Sequence, residues 1–218
     1  MTLLDPNEEP YTLHFQTEFT RILKADQKFL IAGYASPKLT DKNGRELPDL
    51  EGDAIDLGAM DEALKRMMKI ASRRNLMGYH SNTQIGEILF NAIDSDGALW
   101  KTHVVFDASA QYPKQGLFIV AELFQDIEEA KRYVKAMQMG HMLSFSIGGE
   151  ALETQKICSD GVCRKRITVM DLHEVSSCEK GINPEAKAFV LKSHGPSEAA
   201  QLVAAAKDGA SLLKRLLG

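Results

Sequence analysis

The chain has 218 residues, 44% of them hydrophobic, which is enough for one full core and a short appendage. Its 26 basic residues are scattered and outmatched by 30 acidic ones, net charge -4, so no basic face offers itself to nucleic acid. There is no run of eighteen apolar residues and no basic-then-apolar leader, so no membrane partner is expected, and three cysteines in such a chain argue for reduced thiols and too few ligands for zinc, leaving no metal or cofactor to expect.

Residues 1–26 form an N-terminal arm or first strand ahead of the main domain, 27–192. The segment "KFLIAGYAS" (28–36) is short and β-prone, and "PKLTDKNGRELPDLEGD" after it is rich in turn residues, which predicts a strand entering a long exposed loop. In "LGAMDEALKRMMKIASRR", Met60, Leu64, Met67 and Ala71 recur at spacings that share one helical face, a stripe expected to enter the core. "QIGEILFNAIDSDGALWKTHVVFDAS" reads as two strands around a "DSDG" turn, and "GLFIVAELF" (116–124) as another strand.

A helix follows in "QDIEEAKRYVKAMQMGH", with Asp126 as its cap, Glu129 at the capping-box position, Gly140 at the exit, and Ile127, Ala130, Val134 and Met137 facing inward. Residues 142–152, around "HMLSFSIGGEA", then form a strand. It continues into a hairpin through "SDG" (159–161), with Cys158 and Cys163 flanking the turn as a cross-strand pair of reduced thiols, and returns as "KRITVMDLHEVSSCE". Residues 193–218 form a helix-prone tail that packs on the domain or binds a partner.

Side chains two apart share a strand face, so Ser144 and Ser146 point one way and Phe145 and Ile147 the other. The bland reading is a half-exposed strand whose serines face water. The glycine pair Gly148 and Gly149 removes bulk beside the hydroxyls, admitting a substrate backbone or marking a bulge. A serine nucleophile needs a base and a group that orients it. His80, between the Met-rich helix and a strand, can reach a cleft; His14, His103 and His141 sit in or beside apolar strands and read as structural. Asp171 and His173 share one face of their strand, Glu174 the other with Leu172 and Ser176, and composition does not choose between them.

Five segments in order resemble the prohead proteases of tailed bacteriophages, serine peptidases related in fold to the herpesvirus assembly proteases. They are "GYAS" (33–36), "EGDAIDLGAMDEAL" (51–64), "YHSNTQIGEI" (79–88), "SFSIGGE" (144–150) and "DLHEVSSCEKGINPEA" (171–186). Two departures stand out: Gly149 replaces a usual aromatic, and "EKGINPEA" lacks a proline that commonly precedes Asn-Pro. The resemblance implies an α+β fold, a mostly antiparallel β-barrel with surrounding helices. It implies a serine endopeptidase with Ser146 (rather than Ser144) as nucleophile, His80 as base and Glu174 as third member, Asp171 and His173 being its rivals.

Backbone N–H groups of the loop after Glu174 or of the Gly148 region would serve the oxyanion. The implied partners are the scaffold protein and the major capsid protein as substrates, together with self-cleavage, in the host cytoplasm inside the assembling prohead; self-association stays open. The alternative is a noncatalytic capsid or scaffold component with the same domain.

Overall fold

In the computed structural model the described residues are 28–42, 44–79, 82–159, 162–178 and 183–191. The expectations for the arm 1–26 and the tail 193–218 fall outside them. Residues Phe29–Ser193 form one compact unit that holds every element below.

Seven strands close into a barrel: β1 (Phe29–Pro37), β13 (Lys187–Val190), β11 (Leu143–Ser159), β12 (Val162–Cys178), β5 (Asn75–Gly78), β6 (Gln84–Leu89) and β10 (Gly116–Leu123), which pairs back onto β1. All neighbours are antiparallel except β12 and β5, which run parallel with Val175 opposite Leu76 and Ser176 opposite Met77. The expectation of a mostly antiparallel barrel holds, with this one parallel seam. Closure leaves β1 and β10 buried on both faces, which is why "FLIAGYASP" and "GLFIVAEL" read as continuous apolar runs instead of alternating ones. Ile31, Leu117 and Ile119 join the main core with Phe145, Leu172 and Val175, whereas Leu30, Ala32, Phe118 and Val120 face a second cluster containing Trp100 and Tyr112.

Among the described residues the helices are two, and both pack on the main core. Helix α1 (Leu57–Lys69) starts where the Asp56 carboxylate accepts the N–H groups of Gly58 (2.8 Å) and Ala59 (3.3 Å), and it buries Met60, Leu64 and Met67. The expected stripe stops there. Ile70 is extended (φ -107°, ψ 108°), its N–H turns back to the Met67 carbonyl, and Ala71 is exposed in a 3-10 turn. Helix α2 (Glu128–Gln138) buries Ala130 and Met137, with Ile127 and Val134 beside them. Its cap differs from the expectation: Ile127, not Asp126, is the N-cap, without a side-chain hydrogen bond. A Cβ on Gly78 would run into the Glu129 carboxylate, so that side chain lies against β5.

The turn-rich stretch after β1 is more structured than a loop. It holds a small hairpin, β2 (Leu39–Thr40) with β3 (Glu46–Leu47), and β4 (Asp53–Ile55), which adds parallel to β12. The Glu46 carboxylate there meets Arg164 (3.3 Å) and Arg166, charges 118 and 120 residues away that local turn chemistry does not reveal. The expected pair of strands after residue 84 is split into β6, β7 (Asn91–Ile93), β8 (Leu99–Lys101) and β9 (His103–Val105), with the hairpin turn between β7 and β8 where Asp94 binds the N–H groups of Asp96 and Ala98.

The β11–β12 hairpin pairs Cys158 directly with Cys163, as expected, but the two are joined in a disulfide, correcting the reading as reduced thiols. Directly opposed positions with Cα atoms 4.0 Å apart bring the two sulfurs together.

Candidate active site

Strand β11 enters the barrel at Leu143, and its alternation puts Phe145 wholly into the core. Ser146 points the other way, yet it is only 5% exposed, so the water-facing strand of the bland reading is not what forms. Its cross-strand partner is Ser176, fully buried, whose hydroxyl donates to Glu174 Oε1 at 3.1 Å. The register pairs Gly148 with Glu174 next along this face, and the Glu174 side chain lies over Gly148: a Cβ there would come within 2.7 Å of Glu174 Cγ. Ser146, Ser176, Glu174 and Gly148 thus form one polar patch across two strands. Ser144 sits opposite Cys178 and is less buried than Ser146.

Of the two readings of the glycine pair, the bulge is the one observed. The ladder slips between Gly148 and Gly149, leaving His173 as the extra residue of β12, and a Cβ on Gly149 would strike the Asp171 carbonyl oxygen. Because His173 is skipped, the register sets Asp171 opposite Glu150, on the face that carries Ser146, Gly148 and Glu174, and sends Leu172 to the core with Phe145, which corrects the expected division of faces; His173 Nε2 is 3.3 Å from Asp171 Oδ2. Asp171 is also engaged by Arg66 (3.7 Å) and Arg73 (3.3 Å).

His80 and Ser81 lie outside the described residues. Their neighbours place the hairpin between β5 and β6: Gly78 N–H donates to Thr83 O (3.0 Å) and Tyr79 N–H to Ser177 O (2.9 Å). Tyr79 has φ 53°, the only left-handed non-glycine backbone among the described residues, immediately before His80. Tyr79, the last described residue before His80, is therefore tied to the strand that carries Glu174 and Ser176. His103, read as structural, uses Nδ1 on the Lys101 carbonyl (3.0 Å) and packs edge-on against Tyr112.

A cleft of about 200 Å³ runs beside Ser146. Its wall includes Ser36 of the "GYAS" strand, Asp53 of the "EGD" loop and Asn183 of the "NPEA" segment, so four of the five sequence segments meet there. Asn183 fixes the corner by donating its side-chain N–H to Pro37 O (2.7 Å) and accepting the Glu185 N–H (3.0 Å). On the acidic side, Asp53 pairs with Lys165 (2.8 Å), a hydrogen bond that holds the ammonium above the usual lysine range. Sequence reasoning missed Ser176 as Glu174's partner and Asp49 as the residue that shapes the acidic loop. The first was legible in the two-residue spacing; the second depends on Asp49 folding back onto the N–H groups of Glu51 (2.9 Å) and Asp53 (3.0 Å). Among the described residues no group of side chains is arranged to hold a metal ion, and no helix is long and apolar enough to cross a membrane.

A closed barrel that buries a serine beside a hydrogen-bonded carboxylate and a cleft is a scaffold suited to a hydrolase. The family model described as caudovirus prohead serine protease matches residues 17–198, and the chain belongs to that family. It is a serine protease of phage prohead maturation. No curated protein sequence matches the chain significantly.

Proposed function

We propose that the chain is a serine endopeptidase in which Ser146 is the nucleophile, His80 the general base and Glu174 the residue that orients the imidazole. The observation that carries the reading is the buried Ser146 hydroxyl on the same two-strand face as the Ser176–Glu174 hydrogen bond, beside the cleft. Neutral His80 takes the proton as Ser146 Oγ attacks the peptide carbonyl carbon, and it returns that proton to the departing amine. The acyl-enzyme forms as the C–N bond breaks. Water, deprotonated by His80, then releases the acid and restores the serine. Backbone N–H groups near Gly148 or in the loop after Glu174 stabilise the oxyanion.

Asp171 is engaged by Arg66, Arg73 and His173, whereas Glu174 accepts the hydroxyl of Ser176 directly across from Ser146, which favours Glu174 for the third role. The substrates are the scaffold protein and the removable segment of the major capsid protein, with self-cleavage, inside the assembling prohead. The protease domain spans 27–192, and kinship in fold with the herpesvirus assembly proteases belongs to the same proposal.

Coexpression with scaffold and capsid proteins, read by intact mass, tests this: defined fragments appear with the wild-type chain and not with Ser146→Ala. Because His80 must be neutral, kcat/KM rises with pH through the ordinary histidine range, near pH 6.5, and then levels off. Intact partners, or a Ser146→Ala chain that still cuts, would overturn the assignment.

A further inference from the structure

Strand β13 covers β11 only at Leu143 and Ser144. Phe145 N–H then donates to Ala186 O (3.2 Å), and the chain leaves through the turn at 183–185. From Ser146 onward β11 pairs, among the described residues, with β12 alone. Since the Phe145 N–H points away from β12, strand alternation turns the N–H and C=O groups of Ile147 and Gly149 to that same edge. Proteins normally blunt such an edge. This one begins at the nucleophile and lines the cleft with Phe145, Ser146, Ile147, Gly149, Glu150 and Ala151.

The direction of a strand added there is constrained. An antiparallel peptide would run its acyl side along 147–155, bring its carbonyl to Ser146 and send the leaving segment out at the 183–185 turn. A parallel one would drive its acyl side into the place that β13 occupies. Charge narrows the occupant further: the titratable residues lining the cleft are Asp49, Glu51, Asp53 and Glu150, with no lysine, arginine or histidine among the described lining residues. Lys165 pairs with Asp53 and is attracted by Glu51 and Asp49 as well, which leaves four carboxylates against this one lysine, with Glu51 and Glu150 exposed.

We propose that the open edge of β11 receives the acyl-side segment of the substrate as an added antiparallel strand, and that this segment places a basic side chain in the acidic cleft. The proposal rests on Ser146 as nucleophile. Extended-strand addition recognises main chain through the edge amides and sequence through the cleft.

The test uses the full chain, a fluorophosphonate probe and a positional library of acyl-tetrapeptide coumarin amides. Labelling at Ser146 reports the nucleophile separately from the edge. On the edge proposal, lysine or arginine is preferred over glutamate by about tenfold or more at one acyl-side position, and Glu51→Lys with Glu150→Lys erases that preference. N-methylation of the best peptide at alternate residues lowers kcat/KM by about tenfold, whereas the intervening residues tolerate it. Labelling at Ser146 in one sample, together with unlabelled enzyme that shows equal tolerance, prefers acidic peptides or hydrolyses none of the library, overturns the edge proposal alone. Absence of both labelling and hydrolysis overturns the peptidase reading with it.

Discussion

The β11–β12 hairpin is one ladder with two unlike halves. Near the barrel, Phe145, Ser146, Val175, Ser176 and Ser177 are all buried; farther out, residues 150–156 are exposed without a break. Both halves have the same backbone hydrogen bonding, so pairing alone does not make a site. The difference lies in what covers the faces. The inner half is walled by neighbouring strands and the apolar core, which dries the hydroxyls and gives a carboxylate–serine hydrogen bond its strength. In the outer half β11 faces water, while β12 still buries Ile167 and Met170 and pairs with β4. Between them stand the slips at Gly148/Gly149 and near Leu152, where the ladder re-aims its side chains.

If the inner half is the catalytic one, the largest effect follows from removing its hydroxyl. Ser146→Ala is expected to lower kcat by about 10⁴-fold or more while stability stays within about 1 kcal/mol, checked by peptide turnover and urea unfolding. Glu174→Gln comes next, with a loss of up to about 10⁴-fold, the cost of a misoriented base in a well-studied serine protease. Asp171→Asn and His173→Gln, on the far side of the slip, should change the rate by no more than a few-fold; the reverse ranking would move the third role to that pair.

The glycine pair sharpens the boundary between the halves. Gly149→Ala forces a methyl against the Asp171 carbonyl, a backbone atom, and should destabilise by about 2–4 kcal/mol in denaturant titration. Gly148→Ala instead pushes on the Glu174 side chain, which can move; most of the stability should remain and the catalytic rate should fall. Equal stability losses at the two sites would mean that Glu174 is held as rigidly as the backbone.

In the outer half, reducing the Cys158–Cys163 disulfide opens a loop of sequence separation 5 and should cost about 2 kcal/mol at most in a thermal melt. Smallest of all, Leu152→Ser on the exposed ribbon is expected to shift stability by about 0.5 kcal/mol or less.

Much of the fold was legible because its strands carry local signals. The apolar runs at 29–37 and 116–123, the helix around Met60, Leu64 and Met67, and the hairpin between Cys158 and Cys163 all appear where patterning puts them. The parallel β12–β5 seam and the anchoring of Glu46 by Arg164 and Arg166 were not legible, since each joins segments about a hundred residues apart. At the site, alternation correctly divided Ser146 from Phe145, but the slip at Gly148/Gly149 broke the expected division on β12: Asp171 stands opposite Glu150 on the Ser146 face, and Leu172 goes to the core instead of sharing the face of Glu174. It could not tell that the serine face would be buried, because burial depends on neighbouring strands. The disulfide shows the same limit, since compartment arguments from cysteine count say nothing of how close two sulfurs are held.

Strand β1 lies between β10 and β13, so the barrel cannot close until residues 187–190 are present. The same segment, through Ala186 O and Phe145 N–H, also fastens the backbone beside Ser146. Contacts of such long sequence separation are the slow ones to form, and at about 5–20 residues per second the ribosome exposes the strand carrying Ser146 seconds before the segment that anchors it. A half-made chain therefore has the serine and no site.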